Sequence, residues 1–440
     1  MTLGAIRPMS TRRVVSLFSG CGGLDLGFEG GFEVPSACVN EEMHPDWIAE
    51  RSRPGWVRLR DNPFRTVFAN DIKPSARIVW SKYFGSPPRN HPPGTFVLES
   101  IVDVVKKAEA GEGPLFGIKA DVVTGGFPCQ DFSLSGKRKG FQSKRKHDGE
   151  FIGDASIPTE ESRGMLYFWM RKVIGLTEPK CFVAENVKGL VSMETVKETI
   201  ERDFQSVGSD GYLVVPARVL NAPEYGVAQT RERVIFLGFN RARLTAKAVK
   251  ALGKAFIDPE FDPYPEPTHK APRSKSKLGD LFESRSLLPA VTVREVLAGL
   301  GEPHEHPTDS SHVAHSRCKW YGRHCQGQTE VDLDGQGPTI RSEHHGNIEF
   351  RRLAVENGGK HEAEIAAGLP QRRLSVRECA RIQSFPDDME LVIGKDYSCG
   401  EVVSGSDGYK LVGNAVPPLL GYHVARRLDH LWTFLFGSKG

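Results

Sequence analysis

From Arg12 to about Asn240, short apolar runs alternate with segments of helical periodicity. Val14-Val15-Ser16-Leu17 reads as a strand that runs into the glycine turn Gly20-Cys21-Gly22-Gly23, with a helix expected through Asp25-Leu26-Gly27-Phe28. Val67-Phe68-Ala69-Asn70 forms a second such run, ends on Asp71 and leads into a helical stretch from Ser75 to Phe84. Further strands are expected at Ala120–Val123, Cys181–Val187 and Val234–Gly238. This alternation predicts the α/β class, a doubly wound, mostly parallel sheet with helices on both faces. The character of the chain changes after Phe239. Residues 257–275, rich in proline, lysine and serine, read as a linker, and residues 300–350 carry much glycine and histidine with little helical periodicity. Regular pattern returns at Leu374–Ile382, a helix with Ser375 as its cap. The stretch from Leu419 to Leu435 is again helical and is expected to pack back on the first half; no internal repeat is present.

Candidate chemistry sits where these strands end. After Ala120-Asp121-Val122-Val123 comes Gly125-Gly126-Phe127-Pro128-Cys129-Gln130-Asp131-Phe132-Ser133, which places a thiol on a tight turn at a strand's carboxyl end. In open α/β sheets that rim is where ligands and chemistry lie. A free cysteine is by default a buried structural residue. Here proline fixes φ just before the thiol, and two glycines are expected to let the backbone approach a substrate closely. The Gly20–Gly23 turn suits an adenosine-containing cofactor, although glycine turns after a first strand are common. Cys181–Ala184 runs into the carboxylate Glu185, and Gln229-Thr230-Arg231-Glu232-Arg233 opens the strand at Val234.

Composition narrows the setting only a little. The chain has 440 residues, a formal charge of +3 and eight cysteines without a pairing pattern. Its pI near 8.3 is too mild to announce nucleic acid by itself. Free thiols and a reducing cytoplasm are expected. Cys318 and Cys325 lie among His312, His315 and His324, but the spacing matches no common zinc pattern, so no metal is expected. No apolar stretch is long enough to span a membrane, and Met1 to Arg13 contains no export signal.

The blocks FSGCGGL, GGFPCQDFS, ENVKGL, QTRERVIFLG, LSVRECARIQSFPD and GYKLVGNAVPP together resemble the cytosine carbon-5 DNA methyltransferase family, in that family's order, from near residue 13 to near residue 428. The resemblance implies the S-adenosylmethionine-dependent methyltransferase fold with a second, smaller target-recognition domain. It implies residues 1–240 as catalytic and cofactor-binding domain, 241–372 as target-recognition domain and 373–440 as a segment returning to the first. Cys129, set by Pro128, would add to carbon-6 of a cytosine flipped out of the duplex, making carbon-5 nucleophilic. Glu185 would protonate or hydrogen-bond N3, Arg231 would hold the O2, Asn186 would fix the glutamate turn, and Arg233 completes the catalytic set. The sheet is expected to end in a hairpin of Tyr212–Leu220 with Arg233–Phe239.

The implied cofactor is S-adenosyl-L-methionine, lined by Phe18, Gly20, Gly22, Gly23 and Leu24 and closed by Asn414 and Ala415. Asp71, followed by Ile72, is the favoured ribose acceptor over Glu41 and Glu42, which makes residues near 38–63 an insertion. The family's Asp-Ile pair for the adenine amine is replaced here by Glu99-Ser100-Ile101, and Asp121 is read as a strand-start residue. Double-stranded DNA is the implied partner. Ser133, Lys137, Arg138, Lys144 and Arg145 would contact it from a lid over residues 136–163, with an insertion near 142–161, while Gln130 or Ser135 fills the vacated base position. Thr339, Arg341, His344, His345 and Asn347 are the candidates for reading bases. With no regulatory extension beside these blocks, a bacterial modification methylase is expected. It would be monomeric, cytoplasmic and nucleoid-associated, protecting host DNA beside an independently acting restriction endonuclease. A transfer-RNA cytosine-5 methyltransferase, or a catalytically inactive DNA-binding regulator of the same fold, remains the alternative.

Overall fold

The computed structural model describes residues 11–128, 166–191, 194–271, 286–342, 348–394 and 401–437. Its centre is a seven-stranded sheet. In chain order the strands are β1 (Arg12–Leu17), β2 (Phe64–Asp71), β3 (Phe96–Leu98), β4 (Val122–Gly126), β5 (Cys181–Val187), β6 (Tyr212–Asn221) and β7 (Glu232–Asn240). Across the sheet they run β3-β2-β1-β4-β5-β7-β6. All pairs are parallel except those of β7, which is antiparallel to both β5 and β6 and closes the expected hairpin.

Alternation along the strands explains why they read as unbroken apolar runs. Val14, Val122, Val183 and Ile235 enter one hydrophobic cluster, whereas their successors or predecessors Val15, Val123, Phe182 and Val234 enter another. Successive side chains of a strand point to opposite faces, and here both faces are covered. Helices Ile101–Glu109, Leu166–Thr177 and Glu194–Gln205 contribute to the second cluster. The last helix, Pro418–Phe436, packs on the other face through Leu420, Leu428 and Leu435. It lies hard against the first helix, Gly23–Glu29: a Cβ on Gly27 would stand 2.5 Å from the Pro418 carbonyl oxygen. The helix expected from Ser75 to Phe84 spans Pro74–Gly85, with proline in its first turn.

The expected insertion near 38–63 is a three-stranded antiparallel sheet, Glu33–Pro35, Trp56–Leu59 and Ile48–Arg53. It begins earlier than its composition suggests, because buried Phe32 and Val34 pack with Val57 and Leu59. The described buried residues of 241–372 join clusters that also hold residues from the rest of the chain. Helix Ala246–Leu252 and Tyr264 pack on the sheet face that holds the last helix, and the Tyr264 hydroxyl donates to the Ile235 carbonyl at 2.8 Å. From Val291 onward, Val293, Leu333, Ile340 and Ile348 share one cluster with Trp80, Phe84 and Leu411.

Low periodicity between 300 and 350 has a physical counterpart in buried arginines. Arg352 donates to Glu302, Glu364 and the Pro370 carbonyl, and Arg372 donates to Glu302 and Glu378. Arg377 pairs with Asp309, and Arg381 with Asp387. Such charge-assisted bonds fix irregular backbone that no helix or ladder organises. Glu378 also completes the capping box of helix Val376–Ile382, accepting from the Ser375 amide at 2.7 Å. Hydrogen bonds and charge from Arg372 and Arg352 outweigh burial and hold Glu302 at about 2. A depressed carboxylate pKa adds stability that is complete above the unfolded pKa and disappears as pH falls through the folded one. Glu302→Gln should therefore cost on the order of 1–3 kcal/mol at pH 7, the scale of lost bonds to charged groups. The cost should shrink between pH 4.5 and 2, as urea midpoints of variant and parent converge. A gap that stays constant over that range would contradict the ion-pair account.

Candidate active site

Three strand ends meet at the carboxyl rim of the sheet. Leu17 of β1 is in register with Gly125 of β4, and Gly126 is in register with Glu185 of β5. The order reverses beside β1, between the glycine turn and the turn that carries Pro128, the position at which sheets of this kind bind their ligands. Pro128 is half-buried and is the last described residue before Cys129; Cys129, Gln130, Ser133, Ser135, Lys137, Arg138, Lys144 and Arg145 lie outside the described residues, as does the 136–163 lid.

Packing assigns the two glycines a purpose other than the expected close approach to substrate. A Cβ on Gly125 would meet Met170 Sδ at 3.1 Å and Leu17 Cβ at 3.3 Å. On Gly126 it would meet Glu185 Oε2 at 2.8 Å, so the second glycine makes room for the carboxylate. Asn186 links the two strand ends: its Nδ2 donates to the Phe127 carbonyl at 3.1 Å and its Oδ1 accepts from the Val187 amide at 2.8 Å.

Glu185 is buried, and its Oε1 accepts from Arg233 Nε at 2.7 Å. Burial raises its pKa against the opposing charges of Arg233 and then Arg231. A carboxyl with raised pKa, held by one guanidinium, is suited to giving up a proton. Arg231 does not take the position expected of it. It is fully buried and donates to the carbonyls of Ile340 at 3.1 Å, Gly413 at 2.8 Å and Ala415 at 2.8 Å. A guanidinium committed to three carbonyls is a tie between segments, and the arginine at the carboxylate is Arg233.

Gln229 and Gln383, which the sequence reading passed over, belong to the same tie. Gln229 Nε2 donates to Gln383 Oε1 at 3.1 Å, and Gln383 Nε2 donates to the carbonyls of Val412 at 2.7 Å and Ala415 at 2.8 Å. Both amides are wholly buried, and the one signal in the sequence was that each lies in one of the motif blocks. They bring residues 412–415 onto the rim, where Ala415 Cβ would lie 3.2 Å from a Cβ on Gly23. Asn414 projects there as an exposed amide.

The glycine turn itself is ordered by carboxylates. Asp71, at the end of β2, accepts from the Gly20 amide at 3.0 Å and the Lys73 amide at 3.0 Å, leaving acceptor sites on both oxygens. Its rival Glu41 is bound to Arg51 within the inserted sheet at 2.7 Å. Asp25 accepts from Trp80 Nε1 at 2.7 Å and from the Ser16 hydroxyl, and burial pushes it up to about 6 against those bonds. This interior carboxylate pins the turn to helix Pro74–Gly85 and was also missed from sequence.

The residues expected around a cofactor divide in two. Phe18 adopts φ 54°, a left-handed conformation costly for a large side chain, and a Cβ on Gly20 would meet nothing within 4 Å. Ile72, just past Asp71, leaves an apolar side chain 45% exposed. Gly22 and Gly23 are glycines for packing instead, since a Cβ would strike Phe84 Cε2 at 2.5 Å or the Val416 carbonyl at 2.3 Å. Leu24 packs on the last helix, within 3.2 Å of a Cβ on Gly421. An open glycine, an apolar platform and a carboxylate with spare acceptors fit an adenosyl group. At the neighbouring strand end, the Ser100 hydroxyl caps helix Ile101–Glu109 and Glu99 is bound by Lys107. Asp121 accepts from the Arg13 amide at 2.8 Å and pairs with Lys180, a strand-start role.

The base-reading candidates reach this rim through Arg231. Thr339 Oγ1 donates to the Thr230 carbonyl at 2.6 Å, and a Cβ on Gly413 would lie 2.4 Å from the Arg341 carbonyl carbon. His344, His345 and Asn347 lie outside the described residues. Among the described residues no group of three His, Cys, Asp or Glu side chains could hold a metal ion, and no helix is long and apolar enough to cross a membrane.

The chain matches known proteins along nearly its whole length. The family model described as C-5 cytosine-specific DNA methylase matches residues 12–430. The Type II methyltransferase M.FnuDI of Fusobacterium nucleatum is 29% identical, over 96% of this chain and 95% of its own length. The Type II methyltransferase M.BspRI of Lysinibacillus sphaericus is 31% identical, over 94% of this chain and 81% of its own. The S. pombe Dnmt2 methyltransferase structure matches at 15% identity with a TM-score of 0.49, covering 96% of this chain and 99% of that one. Model and relatives alike run nearly the length of the chain, and it belongs to the C-5 cytosine-specific DNA methylases, as a DNA (cytosine-5-)-methyltransferase.

Proposed function

We propose that this enzyme methylates a cytosine flipped from duplex DNA, at one short sequence, with S-adenosylmethionine as methyl donor. The observation that carries the reading is the juxtaposition of Gly126, which leads to Pro128 and Cys129, with Glu185 in register beside it and Arg233 on its carboxylate. The Cys129 thiolate adds to carbon-6 and its electron pair moves into the ring toward N3, where Glu185 delivers a proton. Carbon-5 then carries enamine electron density; bound S-adenosylmethionine supplies the electrophilic methyl group. Methyl transfer leaves the cofactor as its neutral thioether; loss of the carbon-5 proton to solvent, return of the N3 proton to Glu185 and expulsion of the Cys129 thiolate restore the aromatic ring. Arg233, adjacent to Glu185, holds the base O2, the role the resemblance implied for Arg231, while Arg231 ties the reading segment and residues 413–415 to the strand. Asp71 takes the ribose, Ile72 and Phe18 flank the adenine, and Asn414 with Ala415 closes the pocket.

Target recognition is proposed to reside between residues 286 and 372 of the 241–372 segment, since the stretch through Tyr264 packs with the catalytic sheet. Host protection beside an independently acting endonuclease, by a monomer in the cytoplasm, completes the reading. It draws support from relatives named as Type II methyltransferases. Incubation with tritiated S-adenosylmethionine should label duplex DNA and not transfer RNA, and bisulfite sequencing of DNA from expressing cells should place the label in one sequence. Label confined to transfer RNA, or none with intact cofactor binding, would favour the two other readings. Arg341→Ala should lose about 1–3 kcal/mol of discrimination at one base pair, the worth of a bidentate contact. Unchanged ranking of methylated sites would remove Arg341 from base reading.

A further inference from the structure

Residues 228–231 grip two segments to which the proposed function gives different tasks. The first is the reading segment. The Gly337 amide donates to the Ala228 carbonyl and the Thr230 amide to the Gly337 carbonyl, each at 2.8 Å, and Thr339 Oγ1 adds its bond to the Thr230 carbonyl. The second is the segment that closes the cofactor pocket, held through Gln229, Gln383 and the carbonyls of Val412 and Ala415.

Arg231 spans the two. Its Nη1 donates to the Ile340 carbonyl, between Thr339 and Arg341, while its Nη2 donates to the Gly413 and Ala415 carbonyls, on either side of Asn414. Its Nε is buried and makes no hydrogen bond among the described residues, so the fork is held by its two ends. A guanidinium is rigid and planar, and a shift of Ile340 must therefore tilt or break the bonds to residues 413 and 415.

The two segments also touch directly. Gly413 lies in the last turn of helix Gly405–Asn414. A Cβ there would stand 2.4 Å from the Arg341 carbonyl carbon, 2.5 Å from the Ser342 amide nitrogen and 2.6 Å from the Arg341 carbonyl oxygen. All three atoms are backbone, so no side-chain rotation could make room. Just beyond, Ala415 and Val416 press on Gly23 of the glycine turn. The backbone that carries Arg341 is thus packed against the backbone that leans on the cofactor turn, and close packing transmits displacement.

We infer that Arg231 couples reading of the target sequence to closure of the cofactor pocket. With the right bases engaged by Thr339 and Arg341, Ile340 is held where Arg231 also holds residues 413 and 415 against the cofactor; a wrong base pair loosens both. The inference rests on the base-reading and cofactor roles proposed above. Arg231 is a positioning residue, and Gly413 is the contact that keeps the two segments in step. Coupling of this kind is reciprocal: the right duplex tightens cofactor binding by the factor with which the cofactor tightens the duplex. Sequence discrimination then appears in cofactor affinity as well as in DNA affinity.

The test uses the full chain, with S-adenosylhomocysteine as a probe that carries no methyl group to transfer. Two duplexes are compared, one with the sequence found methylated in expressing cells and one differing from it by a single base pair. For the parent, the dissociation constant of the probe should fall about tenfold on saturation with the first duplex, a usual size for coupled sites, and less than about twofold with the second. Arg231→Lys keeps the charge but has one nitrogen and cannot bridge both segments. Gly413→Ala removes no hydrogen-bonding group and wedges the segments apart; it decides the matter if the lysine variant does not fold. In each, the factor between the duplexes should drop below about twofold, whatever is lost in affinity for the probe alone. A tie that only holds the fold together would lower the unfolding midpoint and leave that factor intact. That result overturns the coupling alone, as does a parent that methylates the first duplex yet binds the probe equally with and without it. A parent that neither binds the probe nor methylates duplex DNA overturns the proposed function and this inference together.

Discussion

Cys129→Ser should abolish methyl transfer to duplex DNA. A serine hydroxyl at neutral pH offers no counterpart to a thiolate, and without addition at carbon-6 the ring stays too electron-poor to take a methyl group. The neighbouring geometry makes the position demanding. Asn186 holds the Phe127 carbonyl, and Gly126 lies in register with Glu185, two and three residues before Cys129 in the chain. DNA carrying 5-fluorocytosine should trap a denaturation-resistant adduct on the parent, because fluorine blocks the proton loss that releases the thiolate. Trapping that persists unchanged in Cys129→Ser would refute the assignment.

Glu185→Gln should lower kcat by about 10²-fold or more, the scale of a positioned acid–base group, with DNA affinity close to that of the parent. Glutamine can still donate to N3, but it cannot deliver a proton as the thiolate adds, so the loss falls on the transition state. The physical basis is in the site: burial raises the Glu185 pKa, and Arg233 holds its Oε1 by hydrogen bond. Affinity lost with kcat preserved would contradict this reading. Arg233 and Arg231 should then separate in a second comparison. Arg233→Ala should act mainly on kcat, whereas Arg231→Ala, which frees the carbonyls of Ile340, Gly413 and Ala415, should lower the unfolding midpoint as well.

Local signals in the chain were sufficient for the strands and the helix capped by Ser375, because each depends on periodicity or on a residue's immediate neighbours, whereas the closing hairpin came from the resemblance. β1 and β4 read correctly since both of their faces are covered, which leaves an unbroken apolar run. Ser375 announced its helix because its partner Glu378 lies three residues on. The division of labour between Arg231 and Arg233 had no such local mark. Both stand in one five-residue block with the same parity, and only the packing of residues 340 and 413–415 decides which guanidinium is enclosed. For the same reason Gly125 and Gly126 looked like room for a substrate, when their neighbours are Met170 and Glu185, brought from 45 and 59 residues away along the chain. The buried arginine pairs around Glu302 were equally silent, since a charged residue in an aperiodic stretch reads as solvated until its partners are placed. What the sequence determined by itself was the sheet, its order of motifs and the family they mark; which side chains are enclosed and which stand at the carboxylate was decided by tertiary contacts between residues far apart in the chain, because burial and the pairing of guanidinium with carbonyl exist only once those segments meet.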